Sequence, residues 1–157
     1  MKSQERPWTW TPPPIVNRIM STLLRLPLLH RLVSGSILLI TFAGRKTGRQ
    51  YSTPLGYTQK GDVITILTKR FRSWWHNFEE PAPVTVRVRG KDYYGQAHAL
   101  TDVDTIVPLI AHVVEIAPRE AEIFHIRTDG DKPDLDSVRE MAPKIVVIRV
   151  DLGNEAL

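Results

Sequence analysis

"SILLITFAGRKTGRQYSTPLGYTQKGDVITILT", residues 36–68, decides how the chain is read. "SILLITF" (36–42) is a continuous apolar run, β-branched in part and short enough for a buried strand. "YSTPLGYT" (51–58) alternates moderately, and its Pro54 and Gly56 mark a strand with a bulge or an edge position. "QKGD" then turns the chain as a hairpin into "VITILT" (63–68), which should pair with 51–58. Between the first two strands lies Gly44-Arg45-Lys46-Thr47-Gly48-Arg49, with three cations and two glycines in six residues.

Downstream, "VTVRVRG" (84–90) is the clearest strand, with Val84, Val86 and Val88 on one face and Thr85, Arg87 and Arg89 on the other. "GKD" turns it into "YYGQAHAL" (93–100), and "KIVVIRVDL" (144–152) closes the chain as a sixth strand. Residues 102–126 read as helical, with an N-cap at Thr101 or Asp102 and a break at Pro118. "SVREMA" adds a last helical turn after the polar loop "TDGDKPDLD".

Upstream, residues 1–14 are an extended, proline-rich lead-in. From Ile15 the apolar residues recur at helical spacing, with Arg18 and Arg25 off the stripe, and Pro27 breaks the pattern before a further turn or two ending near Gly35. The whole predicts one α+β domain over 15–157: a mostly antiparallel, six-stranded sheet closing into a small barrel, with an N-terminal helix and peripheral helices. The βαβ alternation of a dinucleotide-binding domain is absent, and the 44–48 loop lacks Walker A spacing.

A net charge of +4 over 157 residues indicates attraction to anions. The cations sit by loops, at 45–49, 69–72 and 87–91, rather than in a stripe with interleaved aromatics, which argues against nucleic acid. With no cysteine there is no disulfide framework or thiolate metal site, and no metal is expected. The polar amino terminus does not resemble a secretory signal, so a cytoplasmic location is expected. The apolar stripe of helix 15–33, edged by Arg18, Arg25 and Arg31, reads either as a cover for the barrel or a dimer, or as a peripheral membrane contact.

Glycines let backbone N–H groups approach an anion, Arg offers a planar donor fork and Lys a point charge. The 44–49 loop could therefore cradle a phosphate in a nest of amides, with Thr47 and Ser52 as neutral donors. It reads equally as a solvated hairpin in which Gly48 supplies a positive φ. Lys69, Arg70 and Arg72, followed by Trp74, Trp75, His76 and Asn77, put a second basic cluster beside an aromatic–polar patch. Cations for a phosphate and an indole surface for a ring suit a flat, polyanionic cofactor. Of the adjacent Trp74 and Trp75, one belongs to the core and the other is available.

The linked order of these elements over residues 36–100 resembles the deazaflavin (F420)-dependent nitroreductase and quinone reductase family. The pattern is an apolar strand, the GRKTG loop, a T-P-L segment, a GD hairpin, W-x-N and a V-x-V strand. That resemblance implies an FMN-binding split-barrel-like fold and coenzyme F420, a 5-deazaflavin with a phosphate–polyglutamate tail. It implicates Arg45, Lys46, Thr47, Gly48, Arg49, Thr53 and Pro54 on the phosphate side, and Lys69, Trp75 and Asn77 beside the ring and tail. The implied reaction is hydride transfer to an electron-poor acceptor such as a quinone or nitroaromatic. FMN is the alternative cofactor, and a non-catalytic flavin, haem or lipid carrier the alternative function. Relatives of this type are often homodimers. Ser52 and His76 are the two candidates for a catalytic side chain. Better-known members carry a Gly-rich insertion where this chain has only "RFRSW" (70–74), and residues 102–157 contain no tyrosine to shape a substrate pocket.

Overall fold

The computed structural model describes residues 7–9, 11, 13–25 and 35–155. Of the expectations above, the remainder of the lead-in and residues 26–34, the second half of the 15–33 helix, lie outside the described residues. The amphipathic pattern that starts after Pro13 forms α1 (Pro14–Arg25), with Pro14 as its first residue.

The apolar runs form β1 (Ile37–Ala43), β2 (Gln50–Gly56), β3 (Thr58–Lys60), β4 (Val63–Lys69), β5 (Ala82–Val88), β6 (Lys91–Leu100) and β9 (Ile145–Glu155). These seven make one antiparallel sheet in the order β2-β1-β5-β6-β9-β4-β3. The sequence reading counts six strands because it runs 51–58 as one. In the structure that stretch divides at Tyr57: β2 pairs only with β1 (Ile40 opposite Thr53), and Thr58–Lys60 alone pairs with β4. The expected pairing of 51–58 with 63–68 is thus confined to its last residue, Thr58.

This division explains the shape of the sheet. β2 and β3 are its opposite edges, yet one residue joins them. Edges of a flat seven-stranded sheet would lie about 29 Å apart, whereas two peptide steps span at most about 7 Å. The sheet must therefore curl until its edges approach, as a half-barrel in which β2 comes against β4. Pro54 is tolerated because β2 is an edge strand, where a missing N–H breaks no ladder.

The curl gives the sheet two apolar faces. Inside are Leu38, Ile40 and Phe42 of β1, Ile64 and Ile66 of β4, and the alternating Val84, Val86 and Val88 of β5. Outside β4 and β9, Leu67, Ile145 and Val147 are covered by α2 (Val103–Ile116), α3 (Arg119–Ile123) and α4 (Leu135–Met141). Asp102 caps α2, its carboxylate accepting from the Thr105 amide at 3.0 Å. The polar loop 128–133 contains a small hairpin of its own, β7 (Thr128–Asp129) with β8 (Lys132–Pro133).

The half-barrel has two ends. At one, the 44–49 loop joins β1 to β2, β4 finishes at Lys69, and "WWHNF" forms a 3-10 helix, Trp74–Phe78. At the other, Ile37 faces Gly56 and the β5–β6 hairpin turns at 89–90.

Candidate cofactor site

Three aromatic residues plug the loop end from within. Phe42, Trp74 and Phe78 pack with ring centroids 5.0–6.2 Å apart, Phe42 to Phe78 being edge-on. Phe78 is fully buried. Trp75 is buried too, with its Nε1–H donating to the Arg70 carbonyl at 3.0 Å and its ring stacked on His76. Of the two adjacent indoles, Trp75 is the core residue and half-buried Trp74 is the more available one. The resemblance places Trp75, the buried member of the pair, beside the cofactor.

The 44–49 loop is stapled to this 3-10 helix. The Arg45 amide donates to Asn77 Oδ1 at 2.9 Å, and Asn77 Nδ2–H donates to the Trp74 carbonyl at 2.7 Å, so both ends of the Asn77 amide are taken. The Arg45 guanidinium bonds Glu79 at 2.8 Å, and the other Glu79 oxygen meets His76 Nδ1. The His76 hydrogen bond, followed by that from Arg45, holds the Glu79 carboxyl below the usual range.

Inside the loop, the Gly44 amide donates to the Arg49 carbonyl, Gly48 to the Gly44 carbonyl, and Arg49 to Thr47 Oγ1. Gly48 has φ +68°, as the hairpin reading requires. Four of the six amides are thus committed, and only those of Lys46 and Thr47 remain for an anion. A nest of backbone donors is not what this loop offers. Its capacity for phosphate rests on the exposed side chains of Arg45, Lys46 and Arg49.

On β2, Thr53 pairs with Ile40 and turns toward the barrel, whereas Ser52 and Pro54 turn outward. Ser52 Oγ and Thr41 Oγ1 share a hydrogen bond of 2.8 Å on that outer face. Thr53 and Pro54 therefore cannot present side chains to the same group, and Ser52 lies on the face away from the aromatic plug.

Lys69 shares its side of β4 with Leu67, under the helices, while Thr68 points into the barrel with Ile66. Lys69 is only 6 % exposed. Its ammonium donates to the Trp8 carbonyl at 2.8 Å and lies 4.7 Å from the centre of the Trp8 ring. The Trp8 ring packs edge-on against Phe124 and His125. Desolvation, then the charge of Arg72, pushes the Lys69 pKa down, and desolvation does the same to Arg72. Neither cation takes part in an ion pair among the described residues, and Arg72 Nε and Thr68 Oγ1 are buried without a partner.

The structure thus sorts the expected residues into two groups at one end of the barrel. Arg45, Lys46, Thr47, Gly48, Arg49 and Asn77 share a loop stapled to the 3-10 helix, joined by His76 and the unforeseen Glu79. Buried Lys69 belongs to a pair with half-buried Arg72, which the sequence placed in a basic cluster but not in the site. The turn between them connects the groups: Arg72 N–H donates to the Lys69 carbonyl, and Arg70 carries Trp75. The signal for Arg72 was its spacing from Lys69; nothing in the sequence announced Trp8 above it. Among the described residues no group of three His, Asp or Glu is placed to hold a metal, and no helix is long and apolar enough to cross a membrane.

The class defined by the fold is an α+β protein built on a curled antiparallel half-barrel, here with cations and indoles gathered at one end. Among solved structures it resembles a putative pyridoxamine 5'-phosphate oxidase from Listeria innocua, at TM-score 0.52 and 10% identity over 88% of this chain and 94% of that one. It also resembles a chain described as a domain-swapped dimer, at TM-score 0.53 and 18% identity over 85% of this chain and 94% of that one. A third is the FAD and heme binding protein from Mycobacterium smegmatis, at TM-score 0.51 and 15% identity over 87% of this chain and 65% of that one. At these identities the likeness shows the fold alone. No curated protein sequence matches the chain. The family model of the F420H(2)-dependent quinone reductases matches residues 22–131, and the chain belongs to that family.

Proposed function

We propose that this chain is a reductase that binds reduced F420 at the loop end of its half-barrel and delivers a hydride to an electron-poor acceptor, a quinone or a nitroaromatic. The half-barrel is read here as the flavin-type split barrel, and the working form as a cytoplasmic homodimer. The observation that carries the reading is the pair Lys69 and Arg72, two desolvated cations with no carboxylate paired to them among the described residues, one of them with an orphaned guanidinium N–H. Burying charge without a partner is costly, so such a pair is retained where an anion completes it. The phosphate and glutamate carboxylates of F420 match that donor set. FMN, with one phosphate, would satisfy fewer of these cations.

Bound F420 supplies the hydride; the protein supplies position and electrostatics. Exposed Lys46 and Arg49 attract the anionic tail, and Lys69 with Arg72 fix it in a drier setting, where each charge-assisted bond is stronger. Anchoring the tail holds the ring against its acceptor through remote binding energy. Half-buried Trp74 is the indole surface left for the ring. Of the two candidate catalytic side chains, His76 lies at this end and is hydrogen-bonded to Glu79, the arrangement of a group that can hand a proton to the reduced acceptor.

Binding of F420 and FMN, followed by tryptophan fluorescence, and menadione reduction with F420H2 test the reading together. F420 should bind tighter than FMN, and Arg72→Ala should weaken it. Retention of either ligand without any oxidation of F420H2 would instead establish a carrier.

A further inference from the structure

At the other end of the half-barrel is a cavity of about 400 Å³, within the range of small-ligand pockets. It lies one length of β1 from the 44–49 loop, about 20 Å for seven residues. The proposed hydride transfer makes no use of it. Tyr57, Gln59, Arg89 and Arg119 supply its polar wall, and Ile116 and Pro118 part of its apolar wall.

The polar wall is built rather than incidental. Tyr57 is the buried residue at which the chain crosses from one sheet edge to the other, and its hydroxyl shares a hydrogen bond with Arg89. Arg119 lines the same cavity, and its charge, with that of Arg89, opposes the rise that burial imposes on the Tyr57 pKa. Arg119 is aimed by a 2.6 Å hydrogen bond to the Ser36 carbonyl. An acidic group, Glu120, is buried beside Arg119 and accepts from its Nε at 3.4 Å, leaving the Nη side of that guanidinium to the Ser36 carbonyl and the cavity. It packs against Gly56, where a Cβ would come within 3.0 Å of its carboxylate.

Arg89 is also strained. Val88 pairs with Lys91, leaving Arg89 and Gly90 as a two-residue hairpin loop, with φ +50° and +80°. Both central residues are left-handed, as in a type I′ turn, where Asn, Asp or Gly is the residue that fits. An arginine there costs stability, and such outliers gather where a side chain is needed for something else.

We infer that this cavity is a second ligand site, for a small organic anion. Its carboxylate or phosphate sits between Arg89 and Arg119, with Tyr57 and Gln59 as neutral partners, and its apolar body lies against Ile116 and Pro118. The inference stands independently of F420 binding at the loop end.

Phenyl phosphate and benzoate, titrated into the full chain and followed by amide NMR, test it and separate the two anionic groups. At least one should shift the amides of 35–36, 57–59, 89–91, 116–117 and 119–120, more tightly than inorganic phosphate does. Arg89→Gly should weaken that binding about tenfold, the worth of one charge-assisted hydrogen bond, while the melting temperature holds or rises, because glycine relieves the turn. Arg119→Gln should weaken it without touching the turn. Absence of these shifts with both probes at millimolar concentration overturns the proposal. So does binding that is unchanged in both variants, or an Arg89→Gly protein that melts lower and still binds.

Discussion

The 44–49 loop and the 69–72 turn carry three cations each and lie at the same end of the barrel, but they carry them on different energetic terms. Arg45, Lys46 and Arg49 are in water, and their loop has already spent four of six amides on itself and Asn77. Lys69 and Arg72 are desolvated, close enough for their charges to interact, and paired with no carboxylate among the described residues. Exposed cations cost the fold little and act at a distance through a field that salt screens. Buried cations cost the fold stability and act only on a group that reaches them. Equal formal charge thus divides into attraction at the loop and fixation at the turn.

The junction between the two is the first place to break the comparison. Phe78→Ala removes the fully buried plug on which both hang, and should cost about 3–5 kcal/mol in urea unfolding. A loss below about 1 kcal/mol would mean that loop and turn are held independently.

Lys69→Met tests the buried side. It keeps the length and removes the charge, so F420 affinity should fall about 10- to 100-fold, the loss of one hydrogen bond to a charged group. The melting temperature should not fall, because a cation with no ionic partner among the described residues has been replaced by an apolar chain. A clear drop in melting temperature with unchanged affinity would make Lys69 a structural anchor for Trp8 instead.

Lys46→Ala tests the exposed side. Its effect on F420 binding should be worth about 0.2–1 kcal/mol and vanish near 1 M salt, where the screening length is about 3 Å. The effect of Lys69→Met should largely persist there. Equal salt sensitivity in the two variants would erase the distinction.

The smallest effect concerns Glu79. Its folded pKa is depressed by His76 and then by Arg45, so its stabilising contribution is present above the ordinary carboxylate range and is lost as pH falls through the folded value. The difference in urea midpoint between wild type and Glu79→Gln should shrink toward zero on acidification. A difference that persists in acid would assign the effect to packing.

Much of the fold was legible because local patterns and tertiary burial agree. The alternation of Val84, Val86 and Val88, the unbroken run of β1 and the Asp102 cap each reappear as read. The missed seventh strand has a physical cause: Tyr57 is neither a turn residue nor a break in alternation. The chain changes partner there only because the sheet curls.

The sequence by itself determined most of the strands of the main sheet and the family, since periodicity, turn chemistry and the linked order around GRKTG are local properties of the chain. It also placed Arg45, Lys46 and Arg49 in a loop where cations stay solvated. The tertiary structure alone decided which cations lose their water. Lys69 is buried by Trp8, sixty-one residues away in the chain, and Arg45 is tied to Glu79 across thirty-four. Desolvation depends on everything that packs around a charge, and no spacing within a sequence encodes that.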